Sequence, residues 1–355
     1  SYEWLIGTLG GRIVELRLDA EQTINPWDLP KGEKEPAKEQ LAFLRNLAVH
    51  MIGGGPDTDV SLLQDLLTEA IQATYTRIRG TVKAIPTFSD LKQQLESWTD
   101  SQKMERIEDL ARLAAIKLRS WCGNQVYANL FDRPTNLELY EDYIYFNIAR
   151  LKEDPKLEPA ITYLIAHLIY SRSSEQSSRP KIIVFDEAWS MLESPVLGHA
   201  IVEMFRAGRS RYVSAWAISQ APTDFTGTKD KPRPYGAGIV ENTHVKIFGK
   251  QTTDEEVLIN QFGLNPVLVR QIKTIPPPRK GEWAQLLLVA GATAETAQMV
   301  FVRPTPLDYW ICTTHRPEVV HRRKVLKETG SYQNAIFALA EEFPLGLPGS
   351  QEGAR

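Results

Sequence analysis

The chain has 355 residues, 43% of them hydrophobic and 24% charged, with a formal net charge of −3. Such a composition describes an ordinary globular chain, long enough for one large domain or a core with a sizeable insertion, and gives no global sign of nucleic-acid binding. Its two cysteines, Cys122 and Cys312, lie far apart, which argues against a disulfide framework and suits a reducing cytoplasm.

Gly10-Gly11 precedes an alternating run, Arg12 to Leu18, that predicts a strand, which Thr23-Ile24-Asn25-Pro26-Trp27 breaks. A charged linker over residues 31–36 leads into helical periodicity from about Glu39 to Ser120. Val60, Leu63, Leu67, Ile71 and Ile78 share one stripe, and Gly53-Gly54-Gly55-Pro56 separates their helix from the one before. That triplet lacks the Gly-Lys-Ser/Thr ending of a phosphate loop and follows a helix, so it predicts a turn. Further helices are predicted from Ser89 to Trp98 and from Glu105 to Arg119, the latter turning Ile107, Leu110, Ala111, Ala114 and Leu118 inward. The stretch predicts a helical insertion into an α/β sheet.

Strand signals return at Tyr143 to Ile148, followed by an apolar helix from Glu158 to Arg172 with Pro159 in its first turn. The run Ala160 to Tyr170 contains His167 and is too short to span a bilayer. Ser173 to Ser178 predicts a polar loop. Lys181-Ile182-Ile183-Val184-Phe185 is then expected to be a strand buried on both faces of a parallel sheet. A helix from Pro195 to Arg209 and a β-rich segment from Tyr212 to Ile218 complete a strand–helix–strand rhythm. Beyond a Pro- and Gly-rich loop, 221–238, come a strand at His244 to Phe248, helices from Asp254 and Asn265, and a hairpin of Trp283 to Val289 with Ala297 to Val302. A last helix covers Ser331 to Glu342.

The chemistry gathers where the buried strand runs out, at Asp186-Glu187-Ala188-Trp189. Ligands of open α/β sheets sit beyond the carboxyl ends of the strands. An apolar strand ending in Asp-Glu fits the metal-and-water end of a nucleotide triphosphatase, with Asp186 holding Mg²⁺ through its water shell and Glu187 polarising the attacking water. The plainer alternative is a solvated acidic turn. Gln220 closes the next predicted strand, where its neutral amide can sense a γ-phosphate or the water, or can merely cap a strand end. Arg206, Arg209 and Arg211 cluster at the end of the intervening helix, where cations also suit the helix dipole. That end lies away from the catalytic edge, so Arg209 is the favoured candidate for a finger reaching a neighbouring subunit's phosphate.

No Gly-x-x-x-x-Gly-Lys-Ser/Thr occurs in the chain. Gly249-Lys250-Gln251-Thr252 mimics its ending, but residue 244 is His and Gln251 replaces the hydroxyl ligand. Cys312, His315 and His321 could ligate a metal on paper, yet they offer three ligands in an expected linker.

Asp-Glu-Ala-Trp, then Arg209 with Gln220 eleven residues later, resembles the conjugation and type IV secretion ATPases of the VirB-type TraC/TrbE group. Leu9-Gly10-Gly11, Ile24-Asn25-Pro26, Tyr127, Leu130-Phe131-Asp132, Glu241-Asn242 to Phe262, and Thr305-Pro306-Leu307 to Thr313-Thr314 extend the resemblance over most of the chain. It implies a RecA-like P-loop NTPase core, mostly parallel, with a helical insertion. It implies a homo-hexamer that uses ATP and Mg²⁺ for pilus assembly and DNA or protein export, working with other type IV secretion components at the cytoplasmic side of the inner membrane. Arg206 joins Asp186 as a nucleotide-side candidate. The expected divisions are residues 1–30 as the start of the core, 31–125 as the insertion, 126–345 as the rest of the core and 346–355 as a disordered tail. Because the chain opens on Ser1 and has no phosphate loop, it is expected to be a carboxy-terminal fragment, inactive alone. Two alternatives stay open: a DNA translocase of the coupling-protein or FtsK type, and a non-catalytic assembly subunit.

Overall fold

The computed structural model describes residues 2–348 except 20–21, 30–32, 34, 54–58, 82–84, 99–104, 138, 140, 149–150, 152–153, 175–178, 194, 229–230, 278–282, 292–293 and 295. The chain divides into two compact units, one of Ser1–Val14, Leu139–Phe146 and Ser178–Arg355, the other of Glu15–Glu138 and Asn147–Ser177. Helix α1 (Tyr2–Thr8) leads into β1 (Arg12–Glu15). There follow α2 (Lys38–Ile52), α3 (Val60–Ile78), α4 (Phe88–Glu96), α5 (Glu105–Leu118) and the short α6 (Ala128–Phe131). Strand β2 (Ile144–Asn147) pairs with β1, and α7 (Leu157–Ser174) closes the second unit. The first unit resumes with β3 (Lys181–Phe185), α8 (Pro195–Ala207), β4 (Val213–Ala217), α9 (Thr223–Thr226), α10 (Pro234–Asn242) and β5 (Val245–Phe248). It ends through α11 (Glu255–Asn260), α12 (Pro266–Thr274), β6 (Ala284–Ala290), β7 (Thr296–Val302), α13 (Pro306–Cys312), α14 (Arg316–Thr329) and α15 (Tyr332–Glu342).

The second unit is helical because its apolar residues recur at helical spacing and its helix starts are capped. Asp59 accepts from the Leu62 amide to start α3, and Thr87 with Asp90 forms a capping box on α4. Leu63, Leu67, Ile71 and Ile78 are buried as the stripe requires, whereas Val60, the first residue of α3, is exposed. Gly53 ends α2 at φ 68°, and Gly54 to Pro56 lie outside the described residues. The Ile24–Trp27 segment packs within this unit. The Asn25 amide side chain donates to the Pro86 carbonyl at 3.0 Å, and the Trp27 ring meets Phe88 edge-on at 5.8 Å. Asp132 ties three pieces together, accepting from the Ser89 amide and hydroxyl and from the Gly123 amide.

In the first unit β3 and β4 run parallel, joined through α8, while β5, β6 and β7 form an antiparallel sheet. The expectation of a strand buried on both faces needs correction. Ile183 and Phe185 are buried, but Ile182 and Val184 are exposed, as are Trp216 and Ile218 beside them. Among the described residues β3 pairs only with β4, so one face of this short sheet carries the packing. The inner face of β5–β7 packs Phe248, Leu287 and Val289 against Leu258, Val269 and Ile272 of α11 and α12.

Helix α1 belongs to a cluster formed with α13, α14 and α15 around Trp4, Trp310 and Ile336. Arg322 is buried there. It donates to the Trp310 and Ile311 carbonyls at the end of α13 and lies 4.3 Å from the Trp4 ring centroid. Burial pushes its guanidinium down to about 10, so it remains charged at neutral pH. Residues 346 and 347 are held as well, Gly346 by the Phe343 carbonyl and Leu347 by Glu318, while 349–355 lie outside the described residues.

One buried titratable group makes the helical unit sensitive to acid. His167 stacks on Phe43 with centroids 3.6 Å apart, and its Nε2 lies 3.1 Å from Gln40 Oε1. The Gln40 amide nitrogen donates to the Pro26 carbonyl, so its oxygen faces the imidazole and Nε2 must be the donor. Burial pushes His167 down to about 4 from an ordinary 6.5. A base whose pKa falls on folding stabilises the fold above its unfolded pKa. That stabilisation, up to about 3 kcal/mol, is lost as pH drops from 6.5 through 4. Chemical denaturation from pH 7 to pH 4 is expected to show this loss, and His167→Phe, which keeps the stack, to reduce it, leaving the share of His50, whose pKa burial also lowers.

Candidate active site

The register of β3 and β4 determines which side chains meet. Lys181 faces Val213 and Phe185 faces Ala217, so both strands end at one edge. The pairing continues past the strand ends. The Ile218 amide donates to the Phe185 carbonyl at 2.9 Å, and the Ala188 amide donates to the Ile218 carbonyl at 3.2 Å. The turn after β3 carries Asp186 and Glu187, and the turn after β4 carries Ser219 and Gln220, so the two turns are locked side by side.

Glu187 has φ +51°, a left-handed conformation that costs a non-glycine residue roughly 1 kcal/mol and is found preferentially at functional sites. Its amide donates to Asp186 Oδ1 at 3.1 Å. Both oxygens of its carboxylate accept hydrogen bonds: Oε1 from the Gln220 amide at 2.8 Å, and Oε2 from the Trp189 indole N–H at 2.7 Å. Glu187 and Gln220, singled out separately in the sequence, are therefore in direct contact. The Gln220 turn is held by Asp224, whose Oδ2 accepts from the Ser219 hydroxyl at 2.6 Å and the Ala221 amide at 2.9 Å. Arg233 donates to the Asp224 carbonyl at 2.6 Å and to Glu193 at 3.0 Å, with its guanidinium carbon 5.6 Å from the Trp189 ring centroid.

Asp186 is exposed at the same edge. The Tyr2 hydroxyl is pushed up chiefly by burial and next by the charge of Asp186, with Tyr145 adding to it. Among the described residues no group of three His, Cys, Asp or Glu side chains could hold a metal ion. A lone exposed carboxylate does not form an all-protein cage, but it fits Mg²⁺, which keeps several waters and takes one or two carboxylates plus substrate phosphates.

The arginines lie elsewhere. Helix α8 ends at Ala207, and Arg209 sits in the following 3-10 turn, Gly208–Arg211. The Lys181 amide donates to the Tyr212 carbonyl, which puts that turn at the amino end of β3. Four residue steps along β4 separate it from the carboxylate edge, about 13 Å at ~3.3 Å per residue. Arg206 pairs with Glu203 at 3.2 Å on the exposed side of α8, and Arg209 is exposed. The Arg211 side chain lies outside the described residues.

Gly249 and Lys250 follow β5 outside any helix or strand, and no helix begins before Glu255, so they form no phosphate cradle. Cys312, His315 and His321 fall on or beside α13 and α14, not in a linker, and do not gather. Cys312 is a free, exposed thiol, His315 lies 4.0 Å from Glu318, and the His321 ring meets Phe343 edge-on.

Sequence reasoning found the two carboxylates and Gln220 but missed the roles of Trp189, Asp224 and Arg233. Trp189 stood in the quoted motif as a marker only. Arg233 fell in a stretch read as loop, although Pro234 immediately after it is a signal for the first turn of a helix.

Asp224 offers a check on this geometry. Asp224→Ala strands the Ala221 amide and the Ser219 hydroxyl, with an expected loss of about 1–3 kcal/mol in stability. Hydrogen exchange at Ala221 is expected to accelerate, whereas amides of α15 should lose no more protection than that global loss accounts for.

No curated protein matches the chain. Among solved structures it is similar to VirB4 of Thermoanaerobacter pseudethanolicus, with 21% identity over 85% of this chain and 78% of that one and a TM-score of 0.62. Plasmid coupling protein TrwB in complex with ADP and Mg²⁺ aligns with 12% identity over 84% and 80% of the two chains and a TM-score of 0.43. TrwB with the non-hydrolysable GTP analogue GDPNP aligns with 15% identity over 84% and 79%, at 0.42. The VirB4 likeness shows a shared fold. A family model, the TraG P-loop domain, matches residues 1–343, and the chain belongs to that family.

Proposed function

We propose that the edge formed by Asp186, Glu187 and Gln220 is the hydrolytic corner of an ATP-driven motor for conjugation or type IV secretion. The observation that carries this reading is the contact between the Glu187 carboxylate and the Gln220 amide at the carboxyl edge of a parallel strand pair. Glu187 takes a proton from the attacking water and fixes its direction, and Gln220, neutral and adjacent, reports the state of the γ-phosphate to the loop after β4. Mg²⁺, when bound, neutralises charge on the phosphate oxygens. Asp186 holds it through water, and Arg206, near the far end of α8 with Arg209, would serve a neighbour's nucleotide rather than this one. Hydrolysis in a homo-hexamer at the cytoplasmic face of the inner membrane would drive pilus assembly and export of DNA or protein alongside other secretion components. No helix among the described residues is long and apolar enough to cross a membrane.

This chain by itself is expected to bind Mg-ATP weakly, because most nucleotide affinity comes from phosphate contacts and it contains no Gly-x-x-x-x-Gly-Lys-Ser/Thr. In the native protein Glu187→Gln is expected to keep nucleotide binding while turnover falls about 10²-fold or more. Asp186→Ala is expected to weaken Mg²⁺-dependent binding and turnover together. Normal hydrolysis by Glu187→Gln would remove the basis of the reading.

Arg209 is proposed to act on a neighbour's nucleotide. Its distance from the carboxylate edge of its own subunit supports this, as does a guanidinium's planar fork of donors, which suits transition-state phosphate charge. Arg209→Ala and Glu187→Gln subunits, each inactive alone, are expected to recover partial activity when mixed rings form. Mixed rings that stay inactive, or full activity of Arg209→Ala, would return Arg209 to the role of a helix-end cation.

A further inference from the structure

The hydrolytic reading uses Glu187 and Gln220 but leaves unexplained why Glu187 is gripped from its own chain. The carboxylate sits on a half-exposed turn in a left-handed conformation, where an unrestrained side chain would sample several rotamers. Instead Oε2 meets the Trp189 indole N–H at 2.7 Å. The indole N–H only donates, so this contact favours an accepting, ionised carboxylate.

Trp189 is itself braced. It belongs to the 3-10 turn Ala188–Glu193, and the Arg233 guanidinium approaches its ring within the range of a cation–π contact. Arg233 has only 18% of its side chain exposed, and its two terminal nitrogens reach Glu193, at the end of that turn, and the Asp224 carbonyl. The Asp224 side chain holds both residues flanking Gln220. The two donors on Glu187 therefore trace back to one anchor, Arg233 on Asp224.

We propose that Trp189, braced by Arg233, is the positioning residue that aims the Glu187 carboxylate and ties its orientation to the Gln220 turn. The proposal rests on the reading of Glu187 as the proton acceptor. Through Arg233, a movement of the Gln220 turn is felt at the opposite oxygen of Glu187, so the water-activating group and the phosphate-sensing loop move as one body.

The test uses the native protein with Trp189→Phe, which keeps a ring for Arg233 and deletes the N–H, and Arg233→Lys, which keeps the charge but loses the fork. kcat and KM for Mg-ATP are measured for each variant, alone and combined with Glu187→Gln. Trp189→Phe is expected to lower kcat about tenfold, the scale of a lost hydrogen bond to a charged group, with KM little changed. In the Glu187→Gln background, where the carboxylate that the indole aims is already lost, the same substitution is expected to cost nothing further. Arg233→Lys is expected to lower kcat by less, and it carries the measurement if Trp189→Phe does not fold. A wild-type kcat in the folded variant, or an equal fall in the Glu187→Gln background, overturns the proposal. Normal turnover by Glu187→Gln alone overturns instead the reading of Glu187 as proton acceptor.

Discussion

The site depends on one hydrogen bond beyond the end of a strand, from the Ile218 amide to the Phe185 carbonyl. Two parallel strands can end at different heights, and a slip of one residue would turn every side chain to the other face. This bond, with the reciprocal one from Ala188 to Ile218, holds the turn of Asp186 and Glu187 level with the turn of Gln220. Everything chemical at the edge follows from that level. The Glu187–Gln220 contact forms only if both turns leave their strands together, and the Asp224 loop can hold Gln220 only if its strand stops at Ala217.

The same connectivity separates the arginines from the carboxylates. In a strand–helix–strand unit the helix returns the chain to the starting edge, so whatever precedes β4 lies at the amino ends of both strands. Arg209 therefore stands at one end of the unit and Glu187 at the other, whatever the side-chain conformations. A head-to-tail interface, closed in a ring or open in a filament, is one in which such opposed ends can meet, one subunit's amino edge against the next subunit's carboxyl edge.

The strands and the carboxylate pair were legible because their signals are local. Ile182 to Phe185 is an unbroken apolar run, Asp186-Glu187 follows it directly, and helical spacing marks α3 and α5. The helices α1, α10, α13 and α14 were not read. Three of them open on Pro in their first turn, a residue that also signals loops, and α14 is too charged to display an apolar stripe. The exposure of Ile182 and Val184 was equally hidden, since a run of apolar residues does not say how many layers cover it. Arg233 and Asp224 escaped because their importance is a matter of contact. They are 46 and 37 residues from Glu187 along the chain, and a lone Arg or Asp in a Pro-rich stretch carries no pattern.

The packing of α1 reaches beyond the folded state. Trp4 is buried against Tyr332 and beneath Arg322, Tyr332 donates to Glu3, and Gln333 donates to the Thr8 carbonyl, contacts between residues as much as 329 positions apart. At a synthesis rate of about 5–20 residues per second, the ribosome delivers α15 on the order of tens of seconds after α1. For that interval Trp4 has nothing to pack against except non-native surface. The helical unit, whose segments all precede Ser178, can condense in the meantime, so translation itself orders the assembly of this chain: the helical unit first, the unit that holds β3 to β7 last.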